Sequence, residues 1–374
     1  MRRLTLVRAH YQNNEATVQI GDATKHYERW LSHQTTIVAA DLRRKHEAMS
    51  EDPFSFLRAT YYRWAQRFTE LDKRVANAPK LLAVGDLHLE NFGTWRDGLG
   101  RLAWGINDFD EAFALPYTND LVRLATSALV AIDARHLVLK AKDACGAIMD
   151  GYREGMESGG QPFVIGENHR WFKPILASPL RDPGLFWDGL RALPRERGAL
   201  PQEAMTAILE MFPDAHLAYE LRHRQAGLGS LGKPRFTAIA QWMGGPIARE
   251  AKALTLSAAA WAQSETSGPF YGQILANSVR SPDPYLKAQG PWVVRRLSPD
   301  SRRLEVESLG RVKDEEWLLH AMGFETANVH HGSSAARRSI AKHLKSLSRT
   351  EVRNAAIAMK KSLEKDFRRW RADR

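Results

Sequence analysis

Six polar residues crowd one short span of this chain. Asp86, His88, Glu90 and Asn91 fall in GDLHLEN, and Asp108 and Asp110 fall in INDFDE. Each group follows an apolar run, Leu81 to Val84 or Leu102 to Ile106, that reads as a buried strand. The turn residues TWRDGLG join the two. Carboxylates gathered at strand ends lose solvation and repel one another unless a cation or a proton compensates them. A divalent metal is the compensator expected here.

The spacing carries more. Asp86 and Asn91 stand as D-x-x-x-x-N, and an Asp-Phe pair follows at Asp108 and Phe109. That order resembles the kinases, where one Asp orients the attacking hydroxyl while an Asn and a later Asp hold magnesium. GDLHLEN is also similar to the GDLHPGN loop of aminoglycoside and choline kinases, with INDFD in place of their IDFD. Two departures stand against the pattern: Val84 replaces the His before the GD, and Asp110 replaces the Gly of protein kinases. The resemblance implies ATP and Mg2+ as cofactors, Asp86 as the base, and Asn91 and Asp108 as magnesium ligands. Asp110 would hold a second metal or stabilise its own turn. Magnesium takes hard oxygens, and one carboxylate must stay free to accept a proton. His88 is expected to orient or assist the loop, and Glu90 to pair with an arginine. GDxH also opens the two-metal signature of calcineurin-like phosphoesterases. Their later G-D-x-x-D-R-G and G-N-H-[DE] have no counterpart, the nearest approach being Glu167-Asn168-His169-Arg170.

Such a loop needs a scaffold. The chain has 374 residues, enough for two or three units, with 44% hydrophobic residues and 11 Trp for a packed core. Its 54 basic and 43 acidic residues give a net charge of +11, which points to an anionic partner without choosing among nucleotide, phosphorylated metabolite, nucleic acid and membrane surface. The lone Cys145 has no disulfide partner. No apolar run has signal-peptide or membrane-spanning length, so a cytoplasmic protein without a transmembrane segment is expected.

Asp52-Pro53 predicts a helix start, with Phe54, Phe56, Leu57, Tyr61, Trp64 and Phe68 as the core stripe of one long helix running to about Val75. Helices are also predicted after Asn119-Asp120 and from about Val138 to Met156. The segment KHEAMSEDPFSFLRAT, taken with the two acid motifs, closely resembles a bacterial family catalogued only as domain of unknown function 2252, whose members show K-H-x-x-M and P-F-x-F-x-R ahead of GDxHxEN. The resemblance runs from about Arg43 to Gly332 and brings no substrate with it.

Further on, Gly227, Gly229, Ser230 and Gly232 form G-x-G-S-x-G between a polar strand and the strand Phe236 to Trp242, and Gly244-Gly245 turns into a second strand. A glycine loop between antiparallel strands brings backbone N–H groups to phosphates, as in the nucleotide lid of kinases. The phosphate clamp is expected from Arg249, which replaces the Lys of the family's K-E-A, or from Lys252. These parts follow the acid loops, whereas kinases place them before, so the expected fold is α+β, kinase-like, two-lobed and circularly permuted, with extra N- and C-terminal helices. The expected units are an N-terminal helical region (1–79), the acid-loop and helical lobe (80–215), a strand-rich nucleotide lobe (216–310) and C-terminal helices (311–374). PWVVRRLSPDSRRLEVESL reads as two further strands. The function expected is phosphoryl transfer to an unidentified acceptor, with AMP transfer needing much the same parts. A nucleotide-sensing protein, or one binding nucleic acid through its basic tail from Ala335 to Arg374, is the alternative of another class.

Overall fold

The computed structural model describes residues 18–165, 169, 172, 182–196, 198, 200–305 and 315–374. Asp52 starts a helix as its side chain dictates, accepting from the Phe54 and Ser55 N–H groups at 2.7 and 2.9 Å, with Pro53 where no amide is needed. Two helices precede it, α1 (Ile20–Ser32) and α2 (Ala39–Ala48). The single helix expected to reach Val75 is instead α3 (Pro53–Ala59), α4 (Tyr61–Arg67) and the short α5 (Lys73–Ala76). Thr60 makes the first break: its hydroxyl donates to Phe56 O at 2.6 Å and its backbone leaves helical geometry at φ −119°, ψ 38°. The aromatic stripe still enters the core, since Phe54, Phe56, Tyr61, Trp64 and Phe68 are all buried.

The first acid loop follows β1 (Lys80–Ala83) and leads into β2 (Phe92–Arg96); the second follows β3 (Leu102–Ile106) and leads into β4 (Phe113–Pro116). Antiparallel pairing of β1 with β4 and of β2 with β3 sets the two loops side by side. Beneath them lie α6 (Thr118–Asp133) and α7 (Ala141–Ser158), and β5 (Phe163–Val164) joins the β2–β3 sheet. Helix α6 begins at Thr118, so Asn119 and Asp120 do not cap it. Their buried side chains turn toward the acid loop instead.

After α8 (Pro183–Ala192) and α9 (Gln202–Leu209) the chain builds a five-stranded antiparallel sheet. Its strands are β6 (Tyr219–Arg222), β7 (Arg235–Trp242), β8 (Gly245–Ala253), β9 (Leu286–Gln289) and β10 (Trp292–Leu297), in the spatial order β6-β7-β8-β10-β9. Helices α10 (Ala258–Ala262) and α11 (Tyr271–Asn277) bridge β8 and β9. One face of the sheet packs Ala238, Ala240, Ala251 and Val294 on α9; the other packs Ile239, Ala248 and Leu297 on α8. Leaving β10, the chain crosses to the acid loops, where Leu304 N–H donates to Phe92 O at 2.7 Å. The second strand expected in LEVESL falls largely outside the described residues, as do Glu167, Asn168 and Arg170.

Helix α12 (Glu315–His330) lies against α7 so closely that a Cβ on Gly151 would stand 1.8 Å from His320 O, and one on Gly323 2.0 Å from Ile148 O. The basic tail forms α13 (Arg337–Ser346) and α14 (Arg349–Ala372). Val352, Ala356 and Met359 of α14 join the main core, and Asp366 pairs with buried Arg63 at 2.8 Å. Cys145 is buried on α7. The architecture is mixed α+β, and among the described residues no helix is long and apolar enough to cross a membrane.

Candidate functional site

Asp86 owes its position to the helices beneath it. Asp120 of α6 accepts the N–H groups of Val84 at 2.7 Å and Gly85 at 2.9 Å, and Asn119 donates to Gly85 O at 3.0 Å. His330, at the end of α12, meets the same Asp120 carboxylate at 2.9 Å. Gly85 is required at this bend: its φ is +84°, and a Cβ there would lie 2.3 Å from Glu111 O. Asp86 then faces the cavity. Its Oδ1 accepts from Nε and Nη2 of the fully buried Arg123 at 2.7 and 2.5 Å. Burial raises the Asp86 carboxyl above its ordinary value despite that partner.

The cavity has a volume of about 560 Å³. It brings together Asp86, Asn91, Asp108 and Asp110 with Gly227, Gly229 and Ser230, although the glycine loop lies far along the chain. Gly229 approaches Asp86 so closely that a Cβ would come within 3.6 Å of Oδ2 and 3.0 Å of Arg58 O. Gly227 and Gly232 both have positive φ, at 72° and 97°. Ser230 braces the turn, donating to Gly227 O at 2.9 Å and accepting from Arg235 at 3.0 Å. Gly232 stands outside the cavity lining and packs on Leu42, while its carbonyl accepts from Val38 N–H at 2.8 Å.

Asn91 ties the acid loops together, its amide donating to Asp86 O at 2.9 Å and Asp108 O at 3.4 Å. Lys252, on β8, reaches both oxygens of Asp108 at 3.1 Å and Asp110 Oδ2 at 2.7 Å. Burial would raise the Asp108 carboxyl, but Lys252 and Arg295 outweigh it and hold it well below the usual range. Burial and the neighbouring Asp108 push Asp110 up. Two carboxylates thus share one ammonium, and Asp110 Oδ1 is buried with no hydrogen-bond partner. That orphaned oxygen, in the same cavity as Asp108 and Asn91, suits a hard cation. Among the described residues no group of three or more His, Cys, Asp or Glu side chains is placed to hold a metal. Magnesium does not require one, because it is commonly held by one or two carboxylates together with substrate phosphates.

Arg249 is not part of this site. Three positions from Lys252 on one strand, it must face the opposite side of the sheet. There it donates to Met211 O at 2.8 Å and lies over Tyr285. His88 does line the cavity, and the hydrogen bond its ring makes is within its own turn. Its Nδ1 accepts the Glu90 N–H at 3.2 Å, and burial with nearby Arg58 and Arg123 keeps the ring neutral, so it shapes the turn. Glu90 pairs with Arg58 at 2.7 Å, the arginine partnership its position suggested.

Several residues in and around the cavity escape a motif-based reading. Arg123 is the lone cation of an apolar helix, held over Tyr61 and Trp64, and that oddity was a usable signal. Glu250, fully buried, takes Arg224 at 2.8 Å, Arg235 at 2.5 Å and Arg295 at 2.7 Å; burial would raise it, but the three arginines hold it well below its ordinary value. Lys45 comes from α2 to donate to Gly229 O at 3.0 Å. Asp41, one turn earlier, accepts from Gln225 at 2.8 Å and meets His223 at 2.9 Å, so α2 fastens the glycine loop from outside.

Residues 37–162 match the model of a family described as an uncharacterized protein conserved in bacteria (DUF2252). This span carries both acid loops, Lys45, Arg58 and Arg123; the glycine loop and Lys252 lie beyond it. No curated protein and no solved structure matches the chain.

Proposed function

We propose that the cavity binds a nucleoside triphosphate with magnesium and transfers the terminal phosphoryl group to an acceptor hydroxyl, in a permuted kinase-like arrangement. The observation that carries this reading is the pairing of Lys252 with Asp108 and Asp110, two acids that line the same cavity as Asp86 and the glycine loop. In kinases a glycine-rich loop covers the phosphates, a Lys sits on the third strand, and Asp and Asn side chains hold the metal. Here the glycine loop joins the first two strands of the five-stranded sheet in spatial order, and Lys252 lies on the third. Phe186, Leu190, Leu193 and Leu297 give the cavity an apolar wall fit for a base.

In the proposed reaction Asp86 accepts the acceptor's hydroxyl proton through Oδ2 while Arg123 fixes Oδ1. The acceptor oxygen forms a bond to the γ-phosphorus; the bond from that phosphorus to the β,γ-bridging oxygen breaks, and the diphosphate departs with the electron pair. Asn91, Asp108 and Asp110 would hold the magnesium, whose charge offsets that of the phosphates. Lys252 keeps the two carboxylates together. The loop N–H groups and the cluster of Arg224, Arg235 and Arg295 add positive potential along the phosphate path.

Calorimetry with a non-hydrolysable ATP analogue tests this. Affinity is expected to depend on Mg2+ and to fall at least about tenfold, or about 1.4 kcal/mol, in Asp108→Ala. Unchanged affinity in a folded Asp108→Ala protein overturns the metal assignment.

A further inference from the structure

Two cavity cations have no role in the phosphotransfer arrangement. Lys45 and Lys233 are each 4% exposed and both line the cavity. Lys233 follows the glycine loop directly, and Lys45 reaches that loop from α2. Among the described residues neither makes an ion pair, and the hydrogen bond to Gly229 O is the one the Lys45 ammonium makes, the Lys45 carbonyl being taken by Met49 N–H. Of the arginines near them, Arg58 pairs with Glu90, Arg123 with Asp86, and Arg224, Arg235 and Arg295 share Glu250. A buried ammonium costs several kcal/mol unless an anion compensates it.

The nearby acid does not supply that anion. Glu111 Oε2 accepts from Ser257 Oγ at 2.9 Å and Ala258 N–H at 2.6 Å, and among the described residues its carboxylate makes no ion pair with either lysine. Burial, with the charge of Lys233 adding to it against the pull of Glu28, brings the Lys45 ammonium down to about 8. Lys45 lies toward the acceptor side, since the carbonyl it holds belongs to Gly229, the loop residue set against Asp86 Oδ2; Lys233 lines the same cavity, whereas Lys252 serves Asp108 and Asp110.

We propose that Lys45 and Lys233 form an anion subsite that binds a phosphate group carried by the acceptor, beside the hydroxyl offered to Asp86. Two ammonium groups balance a phosphate dianion; a carboxylate would leave one of them uncompensated. Lysine suits this task as an orientable point charge. The acceptor role rests on the phosphotransfer reading, while the subsite rests on the lysines alone.

The test is a calorimetric titration of inorganic phosphate into the full chain, free and then saturated with Mg2+ and a non-hydrolysable ATP analogue, with acetate as a parallel probe. The wild type is expected to bind phosphate in both states and acetate at least tenfold more weakly. Lys45→Met and Lys233→Met should each weaken phosphate at least tenfold, and Lys233→Met should leave analogue affinity within twofold, with Lys233→Gln a second variant should the first lose its melting transition. Phosphate that competes with the analogue, or analogue affinity that falls tenfold in Lys233→Met or Lys233→Gln, assigns the pair to the nucleotide and overturns the proposal. Equal binding of acetate overturns the choice of phosphate. If the protein takes phosphate through these lysines but no nucleotide, the phosphotransfer reading fails and the subsite stands. Nucleotide without phosphate sinks the subsite alone.

Discussion

Asp120 and Asp86 lie on opposite sides of one bend, and their surroundings differ in kind. Asp120 is wholly buried and has every partner it can use: Gly85 N–H and Asn119 on Oδ1, Val84 N–H and His330 on Oδ2. Asp86 gives Oδ1 to Arg123, and its Oδ2 takes no hydrogen bond among the described residues. A saturated carboxylate fastens the backbone. A half-saturated one, beside a glycine that leaves room, remains available for a proton. The same contrast separates Glu250, saturated by three arginines, from Asp110, whose Oδ1 is buried and unpartnered.

Asp120→Ala breaks the comparison at its structural end and carries the largest expected effect. It orphans two buried N–H groups and His330, and removing one partner of a buried charged network costs about 3–5 kcal/mol. Denaturant unfolding checks this, and a loss below about 1 kcal/mol would mean that the bend holds without its anchor. Asp86→Asn tests the other end. Turnover should fall at least about a hundredfold, roughly 2.7 kcal/mol of barrier, with a smaller stability loss than in Asp120→Ala because Arg123 keeps Leu57 O at 2.8 Å and two aromatic faces. Full activity in that variant removes the base.

Glu111→Gln sharpens the comparison with a buried carboxyl held by its own proton. The folded-state value is raised from 4.5 to about 7, so between those limits the folded protein holds a proton that the unfolded chain releases. Stability therefore falls as pH rises from about 4.5 to about 7 and then levels off. The substituted amide would stay neutral throughout, so the variant's melting temperature should fall less across that window, by a few degrees at most. Some decline remains, because Glu325 is also pushed up to about 7 by burial. Identical pH profiles for variant and wild type would show that Glu111 is ionised in the fold.

Much of the frame was legible because it depends on neighbours in sequence. Asp52-Pro53 capped its helix, the hairpin expected at Gly244-Gly245 closed one residue earlier on Met243-Gly244, and the two apolar runs became the strands that precede the acid loops. The long helix to Val75 failed for a local reason as well. Thr60 offers its hydroxyl to the preceding turn, and periodicity does not register that competition.

The sequence by itself determined that acids and glycines would sit on strand ends and turns, since apolar alternation and turn chemistry are properties of short segments. It also determined that Arg249 and Lys252 must face opposite ways, because side chains alternate along a strand. Only the tertiary structure decided which of them meets the acids: α9 covers the Arg249 face of the sheet and leaves Lys252 to Asp108 and Asp110. It alone placed Arg123 against Asp86, 37 residues away, and Lys45 on Gly229, 184 residues away. Contacts of that separation depend on how helices and sheet pack, and no local pattern encodes them.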